Sequence, residues 1–174
     1  MFKILGTLLF MLSFLGLTTP AGALAVGDSA PQVAALDQDG TEVNLAEIYA
    51  KGATLVYFYP KADTPGCTAQ ACSLRDAFPR FTGKGLQVVG VSGDSVEGQK
   101  RFSEKYDLPF TLLADSDSVV AKAFAVPTMM GFAKRQSFLI KDGKVVWMVE
   151  SAKTGDHAKQ VEAALTSLGL AENP

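Results

Sequence analysis

Two cysteines, Cys67 and Cys72, are the residues of this chain whose type and spacing point most directly to chemistry. The 174-residue sequence contains no other cysteine, and the stretch TPGCTAQAC, which starts at Thr64, holds both with four residues between them. A close pair of this kind can contribute to a metal site, form a structural disulfide or act as a redox pair. The neighbouring residues have to distinguish these uses.

A metal site would need more ligands than the sequence offers. Structural zinc is held by four ligands, most often Cys and His, and the chain has two cysteines and a single histidine, His157. His157 falls at the start of the predicted last helix, where we interpret it as a solvent-facing helix residue. We therefore predict that the protein uses no metal.

A purely structural disulfide between Cys67 and Cys72 is disfavoured by helix geometry. If both residues lie in one regular helix, their five-residue offset separates the Cα atoms by roughly 8 to 9 Å. Disulfides join Cα atoms less than about 7 Å apart, so this bond would require the start of the helix to unwind. A bond that must break a helix is labile, which favours a switching disulfide.

A redox pair gives each residue of the stretch a role. Thr64 is a candidate N-cap, and Pro65 suits the first helical position because its φ angle is preset. Cys67 then falls in the first turn, where free N–H groups and the helix dipole stabilise a thiolate. Cys72 lies more than a turn deeper in the helix, so the pair is asymmetric, with one nucleophile and one reserve thiol.

The elements that position the cysteines alternate between strands and helices. Residues 54–59, TLVYFY, form a near-continuous apolar run that is typical of a buried central strand. The helix with both cysteines follows, and we predict that it ends at Pro79. A second buried strand (86–92), a helix capped by Ser95, a third strand (FTLLAD) and a short helix come next. A hairpin turned at Asp142-Gly143 and an amphipathic helix complete the chain.

This order predicts an α/β protein with a thioredoxin-like fold, in which helices flank a central mixed β-sheet. The strand–helix–strand units require parallel pairing, and the terminal hairpin makes the sheet mixed. A small hairpin turned at Asp39-Gly40, followed by a helix capped by Asn44, forms an N-terminal extension. Cys67 lies just past the carboxyl end of the buried strand, where α/β sheets place their sites.

The first 25 residues do not resemble the rest of the chain. Lys3 is followed by an uncharged apolar stretch at 4–17, and an A-x-A pattern ends at Ala25. This order predicts a signal peptide over 1–25, a single domain over 26–174 and export to the periplasm or another non-cytosolic compartment. An uncleaved membrane anchor is the alternative. The net charge of −2 and the absence of a Lys/Arg cluster argue against a nucleic-acid partner.

The cysteine segment resembles the peroxiredoxins, specifically the Q type, also called the bacterioferritin comigratory protein family. The motif P-x-x-x-T-x-x-C of the peroxiredoxins is present as Pro60, Thr64 and Cys67, and Cys72 stands where Q-type members have their second cysteine. The resemblance continues through GVSGDS, FSEKYDLPFTLLAD and RQSFLI, and covers residues 26–168.

This resemblance implies a thiol-dependent peroxidase that reduces hydrogen peroxide and organic hydroperoxides without a cofactor. Cys67 would be the peroxidatic cysteine and Cys72 the resolving one, joined by a disulfide that a thioredoxin-like donor reduces. Thr64 would hydrogen-bond the thiolate and the peroxide, Pro60 would shield the pocket from water, and Arg135, which opens RQSFLI, matches the active-site arginine. The resemblance also implies a monomer.

The sequence departs from the family pattern in two ways and leaves other functions open. Gln70 stands where many relatives have Glu, and the predicted signal peptide would separate the protein from cytosolic thioredoxin. One alternative is an exported thiol–disulfide oxidoreductase acting on protein disulfides, although the usual C-x-x-C motif is absent. The other is a secreted binding module whose disulfide is only structural.

Overall fold

The protein, described here from a computed structural model over residues 22–170, contains a seven-stranded sheet, a separate two-stranded sheet and five helices. The strands are β1 (Ala34–Asp37), β2 (Glu42–Asn44), β3 (Thr54–Phe58), β4 (Gln87–Ser92), β5 (Thr111–Ala114), β6 (Thr128–Met129), β7 (Phe132–Ala133), β8 (Ser137–Lys141) and β9 (Lys144–Val149). The helices are α1 (Leu45–Tyr49), α2 (Pro65–Thr82), α3 (Val96–Lys105), α4 (Val119–Ala123) and α5 (His157–Ser167).

The large sheet is mixed and has the strand order β2-β1-β5-β4-β3-β8-β9. The three central strands β3, β4 and β5 are parallel, β8 pairs antiparallel with β3, and β9 pairs antiparallel with β8 at the edge. The N-terminal β1–β2 hairpin adds to the other edge, where β1 pairs antiparallel with β5. The predicted thioredoxin-like fold with an N-terminal hairpin is therefore confirmed.

Strand β3 is buried along its whole length because helices cover both faces of the sheet. Leu55 and Tyr57 pack into a cluster with α2, α3 and α5, whereas Val56 and Phe58 pack into a second cluster with α1 and α4. A strand with two buried faces has no polar side to display. This explains the continuous apolar run and places α2 directly over the strand that precedes it.

The local turn and cap signals are confirmed. The Asn44 side chain accepts a hydrogen bond from Ala46 N at 2.9 Å, and the Ser95 hydroxyl accepts one from Gly98 N at 3.2 Å. Asp142 and Gly143 both have positive φ angles, 50° and 70°, as a tight two-residue hairpin turn requires.

The predicted end of the cysteine helix at Pro79 is wrong, because α2 continues to Thr82. Pro79 is on the exposed side of the helix, so its ring and its missing N–H disturb only the solvent face. Two residues later Phe81 is fully buried, and burying such a side chain contributes about 2 to 3 kcal/mol. The burial of Phe81 offsets the cost of the internal proline.

Strands β6 and β7 form a short hairpin that the sequence does not predict. Each strand has two residues, and the turn between them uses positive φ angles at Met130 and Gly131. Met129 and Met130 are 75% and 87% exposed, and Ala133 is the one buried residue of the two strands, so the hairpin leaves no periodic signal in the sequence.

The predicted signal peptide falls almost entirely outside the described residues. Within 22–170, no helix combines the length and apolar character needed to cross a membrane.

Candidate active site

Helix α2 begins one short loop after the carboxyl end of β3, and its first turn carries Cys67. Thr64 takes the N-cap position with extended backbone angles (φ −93°, ψ 151°), and Pro65 is the first helical residue. The Thr64 hydroxyl does not cap the helix, since it donates to the Lys61 carbonyl at 2.9 Å. Its proton is therefore engaged, and its lone pairs remain as acceptors.

The loop before α2 is fixed by α3 and by the end of β4. Ala62 N donates to the Asp94 carboxylate at 2.7 Å, and the Ser92 hydroxyl donates to the same oxygen at 2.7 Å. Asp63, whose φ is 59°, accepts hydrogen bonds from Lys105 and from the Tyr106 hydroxyl. These contacts set the direction in which α2 leaves the sheet.

Cys67 is buried at the start of the helix, with 2% of its surface exposed. The first intrahelical bond runs from Thr68 N to Thr64 O at 2.8 Å, so the N–H groups of Gly66 and Cys67 lie ahead of the regular ladder. Such groups stabilise an anion at a helix N-terminus. The structure thus places Cys67 at a helix N-terminus, beside N–H groups that the helix itself does not use.

Cys72 lies further along the same unbroken helix and is half-buried. Both cysteines are free thiols, and five residues of helix separate them by about 7.5 Å along the axis alone. A disulfide between them is incompatible with this helix, so its formation stays a prediction that requires a second conformation.

Arg135 provides the positive charge beside Cys67. Its Nη2 donates to the Cys67 sulfur at 3.3 Å. The pairing of Tyr57 with Ser137 and the bond from Phe58 N to Gln136 O place this arginine beside the carboxyl end of β3. The two predicted residues are therefore in direct contact.

A buried polar chain continues from Arg135 into the protein. Arg135 Nη1 donates to Gln70 Oε1, Gln70 Nε2 lies 3.0 Å from His157 Nδ1, and His157 Nε2 lies 3.0 Å from the Ser137 hydroxyl. Gln70 and His157 are both fully buried. This chain joins the second turn of α2 and the first residue of α5 to the start of β8.

The interpretation of His157 as a solvent-facing residue is therefore wrong. His157 lies four residues before Val161 and eight before Leu165, so it belongs to the buried stripe of α5. The stripe was visible in the sequence, but a polar residue at its end gives no sign of the partner that would satisfy it. That partner, Gln70, is 87 positions away in the chain.

Burial lowers the pKa of His157 from its ordinary value of 6.5 to about 4, and the nearby positive charge of Arg135 adds to this effect. Its imidazole is therefore neutral near pH 7.

Acid should destabilise the protein through His157. Between about pH 6.5 and pH 4 the unfolded chain binds a proton that the folded protein excludes, so the free energy of unfolding falls as pH falls. A pKa shift of this size corresponds to a loss of about 3 kcal/mol in the free energy of unfolding, and the loss is complete below pH 4. Urea unfolding of the wild type and of His157→Asn across this range checks it. Parallel stability curves for the two proteins would show that His157 does not resist protonation.

Pro60 lies at the edge of an open apolar pocket of about 460 Å³. The β6–β7 hairpin supplies most of the opposite wall through Thr128, Met129 and Phe132. The Lys61 ammonium lies 5.8 Å from the centre of the Phe132 ring. Pro60 thus contributes to this apolar surface four residues before Thr64.

Comparisons with known proteins agree on one family. The model of the AhpC/TSA family matches residues 26–148. The chain is 45% identical over 142 residues to peroxiredoxin Bcp of Escherichia coli (strain K12), covering 77% of this chain and 90% of that protein. It is 42% identical over 125 residues to chloroplastic peroxiredoxin Q of Sedum lineare, covering 71% and 67%. Peroxidoxin BcpB from Mycobacterium tuberculosis has a similar crystal structure, with a TM-score of 0.78, 33% identity, and coverage of 83% and 98%.

Proposed function

The chain belongs to the AhpC/TSA family and is a thiol-dependent peroxidase, and we propose that its substrates are hydrogen peroxide and organic hydroperoxides. In this proposal Cys67 is the attacking thiol and Cys72 is the resolving thiol. The observation that carries this assignment is the 3.3 Å contact between Arg135 Nη2 and the sulfur of Cys67, at the first turn of α2. The contact distinguishes Cys67 from Cys72, because the cation that interacts electrostatically with Cys72, Arg75, donates its hydrogen bonds to Asp76 and to the Tyr106 carbonyl.

The first step follows from these groups. The Cys67 thiolate attacks one oxygen of the peroxide, the O–O bond breaks, and the other oxygen leaves with the electron pair and takes up a proton, giving water or an alcohol. Cys67 becomes a sulfenic acid. Negative charge develops on the leaving oxygen, where Arg135 and the N–H groups of Gly66 and Cys67 can stabilise it.

The second step regenerates the enzyme. The Cys72 thiol attacks the sulfenic sulfur, a sulfur–sulfur bond forms and water leaves. An external dithiol of the thioredoxin type then reduces the disulfide by exchange and is itself oxidised. Neither step uses a cofactor.

A peroxidase assay on residues 26–174 tests the proposed function. With dithiothreitol and then a thioredoxin-type dithiol as donor, we expect rapid, saturable consumption of hydrogen peroxide and of an organic hydroperoxide. The same preparation should reduce protein disulfides poorly. Slow reaction with peroxide together with rapid reduction of protein disulfides would instead support the exported oxidoreductase, which the comparisons do not favour.

Disulfide formation should unwind the first turns of α2. The helix holds the cysteines too far apart to bond, and breaking several backbone hydrogen bonds costs about 1 kcal/mol net for each. The unwound form is therefore a minor state that the disulfide captures. Amide hydrogen exchange should rise sharply across residues 67–77 after oxidation and change little in β4, which lies in the centre of the sheet.

Cys72→Ser is the matched control for this rearrangement. It should stop at the sulfenic acid, keep the protection of α2 and over-oxidise more readily, because no thiol is present to resolve Cys67. Equal protection of residues 67–77 in the reduced and disulfide forms would contradict the two-conformation mechanism.

We further propose that residues 1–25 are a signal peptide, that the mature protein acts outside the cytosol and that it is a monomer. The charge and A-x-A pattern of these residues support export, and the family match begins at residue 26. Expression in a bacterial host, followed by mass determination of the periplasmic form and sedimentation analysis, checks all three. Recovery of only the full-length chain with membranes would favour the uncleaved anchor.

A further inference from the structure

The side chain of Gln70 can serve Arg135 in only one of its two orientations. A guanidinium group donates hydrogen bonds and never accepts them, so Arg135 Nη1 requires an oxygen opposite it. A carboxylate at this position would present oxygen whichever way it turned. The carboxamide of Gln70 presents oxygen on one side and an NH₂ group on the other, so something must fix its orientation.

The opposite end of the Gln70 carboxamide determines the protonation of His157. With Oε1 toward Arg135, Nε2 faces His157 Nδ1 at 3.0 Å and has to donate. Nδ1 must then be the unprotonated nitrogen, and the ring proton must reside on Nε2, which donates to the Ser137 hydroxyl at 3.0 Å. The polarity of the whole chain thus follows from the fixed charge of Arg135.

We propose that His157 is a positioning residue of the peroxidase site, whose unprotonated Nδ1 holds the Gln70 carboxamide with its oxygen toward Arg135. Arg135 is then held through Nη1 by Gln70 and through Nη2 by the Cys67 sulfur. Fixing both arms of a guanidinium reduces the reorganisation it needs when charge develops on the peroxide oxygen. The inference rests on the proposed function but concerns atoms that can be observed without turnover.

Protonation of His157 would reverse this arrangement. A proton on Nδ1 faces the Gln70 NH₂ group, and turning the carboxamide to relieve that contact places NH₂ against the guanidinium. The charged group facing His157 is Arg135, and the titratable group packed edge-on against its ring is Tyr57, whose phenol stays protonated because burial holds its pKa well above the usual value. Both neighbours are consistent with a neutral imidazole near pH 7.

A second hydrogen bond between α2 and α5 makes it possible to distinguish the orientation of Gln70 by His157 from the mere attachment of one helix to the other. Ala158 N, at the start of α5, donates to the Ser73 hydroxyl on α2 at 2.9 Å. This bond joins α5 to α2 one residue from His157 but has no link to Arg135. Ser73→Ala therefore loses a helix–helix bond without freeing Gln70, which makes it a matched control.

The first experiment reads the histidine directly. The chain contains one histidine, so the imidazole ¹⁵N signals of an untagged protein belong to His157 without further assignment. We expect the Nε2–H tautomer in the reduced wild type near pH 7. In Gln70→Glu the carboxylate offers an acceptor to the ring, so the proton should move to Nδ1 or the imidazole should become doubly protonated at a higher pH than in the wild type. An Nδ1–H tautomer in the wild type overturns the proposal.

The second experiment reads the reaction. His157→Leu removes the acceptor, whereas His157→Asn can place an oxygen close to the position of Nδ1. In stopped flow, the rate constant for oxidation of Cys67 by hydrogen peroxide should fall about tenfold in the Leu variant. It should recover most of that loss in the Asn variant and stay at the wild-type value in Ser73→Ala.

The outcomes separate this inference from the proposed function. Rapid oxidation of the wild type with an unchanged rate in His157→Leu would leave the peroxidase intact and overturn the positioning role. Equal loss of rate in Ser73→Ala would show that His157 acts only by holding α5 in place. If His157→Leu does not fold, the tautomer of the wild type and its response to Gln70→Glu decide the question. A wild type that does not react with peroxide would refute the proposed function while the tautomer result stands.

Discussion

Replacing Cys67 with serine should abolish peroxide turnover while leaving the protein folded. Serine provides no thiolate near neutral pH, and its smaller oxygen can still accept the hydrogen bond that Arg135 Nη2 gives to the sulfur. Peroxide consumption with dithiothreitol as donor measures turnover, and thermal unfolding measures the fold.

Cys72→Ser is the matched control, because it also removes one thiol from the protein but leaves Cys67 in place. With no external dithiol present, it should consume one equivalent of peroxide rapidly and then react further only by slower over-oxidation, because only the resolving step is lost. Sustained turnover by Cys67→Ser would show that the attacking thiol has been assigned to the wrong residue.

Replacing Arg135 with methionine should slow the oxidation of Cys67 by about 10²-fold or more. The guanidinium contacts the sulfur directly and lies where the leaving oxygen gains charge, so its removal affects both the nucleophile and the transition state. Methionine retains much of the apolar stem and removes only the charge and the donors. Stopped-flow kinetics give the rate, and thiolate absorbance against pH gives the ionised fraction of Cys67.

Arg80→Met makes the same substitution at a surface position outside the proposed active site. Arg80 lies near the end of α2 and pairs with Glu162 on the surface at 2.8 Å, so its loss should leave the rate unchanged. If Arg135→Met and Arg80→Met oxidise at the wild-type rate, Arg135 is only a structural residue of the β8 region.

The part of the site that lies close to Cys67 in the sequence can be predicted from physical chemistry alone. The buried run of β3, the Thr64-Pro65 helix start and the place of Cys67 in the first turn follow from residue types within a dozen positions. Arg135 is 68 positions from Cys67, and its role was suggested by the family resemblance because nothing near it in the chain marks it as more than a surface arginine.

The long-range polar partners were not predictable in the same way. Gln70 and His157 are satisfied by each other across two helices, and hydrophobic periodicity does not indicate which buried polar residues will meet. The sequence therefore predicts the wrong side of α5 for His157. It also predicts too early an end for α2, because the burial of Phe81 by tertiary packing overrides the local signal of Pro79.

The central claim is that peroxide oxidises Cys67 first and that Cys72 then captures it within the same chain. The most direct measurement mixes reduced protein with one equivalent of hydrogen peroxide, in the presence and absence of a sulfenic-acid trap, and determines intact and peptide masses. The account predicts that the wild type loses two hydrogen atoms and yields a peptide linked between Cys67 and Cys72, and that Cys72→Ser yields a trapped adduct on Cys67. An adduct on Cys72 in Cys67→Ser at a comparable rate, or a wild type linked only between chains, would contradict it.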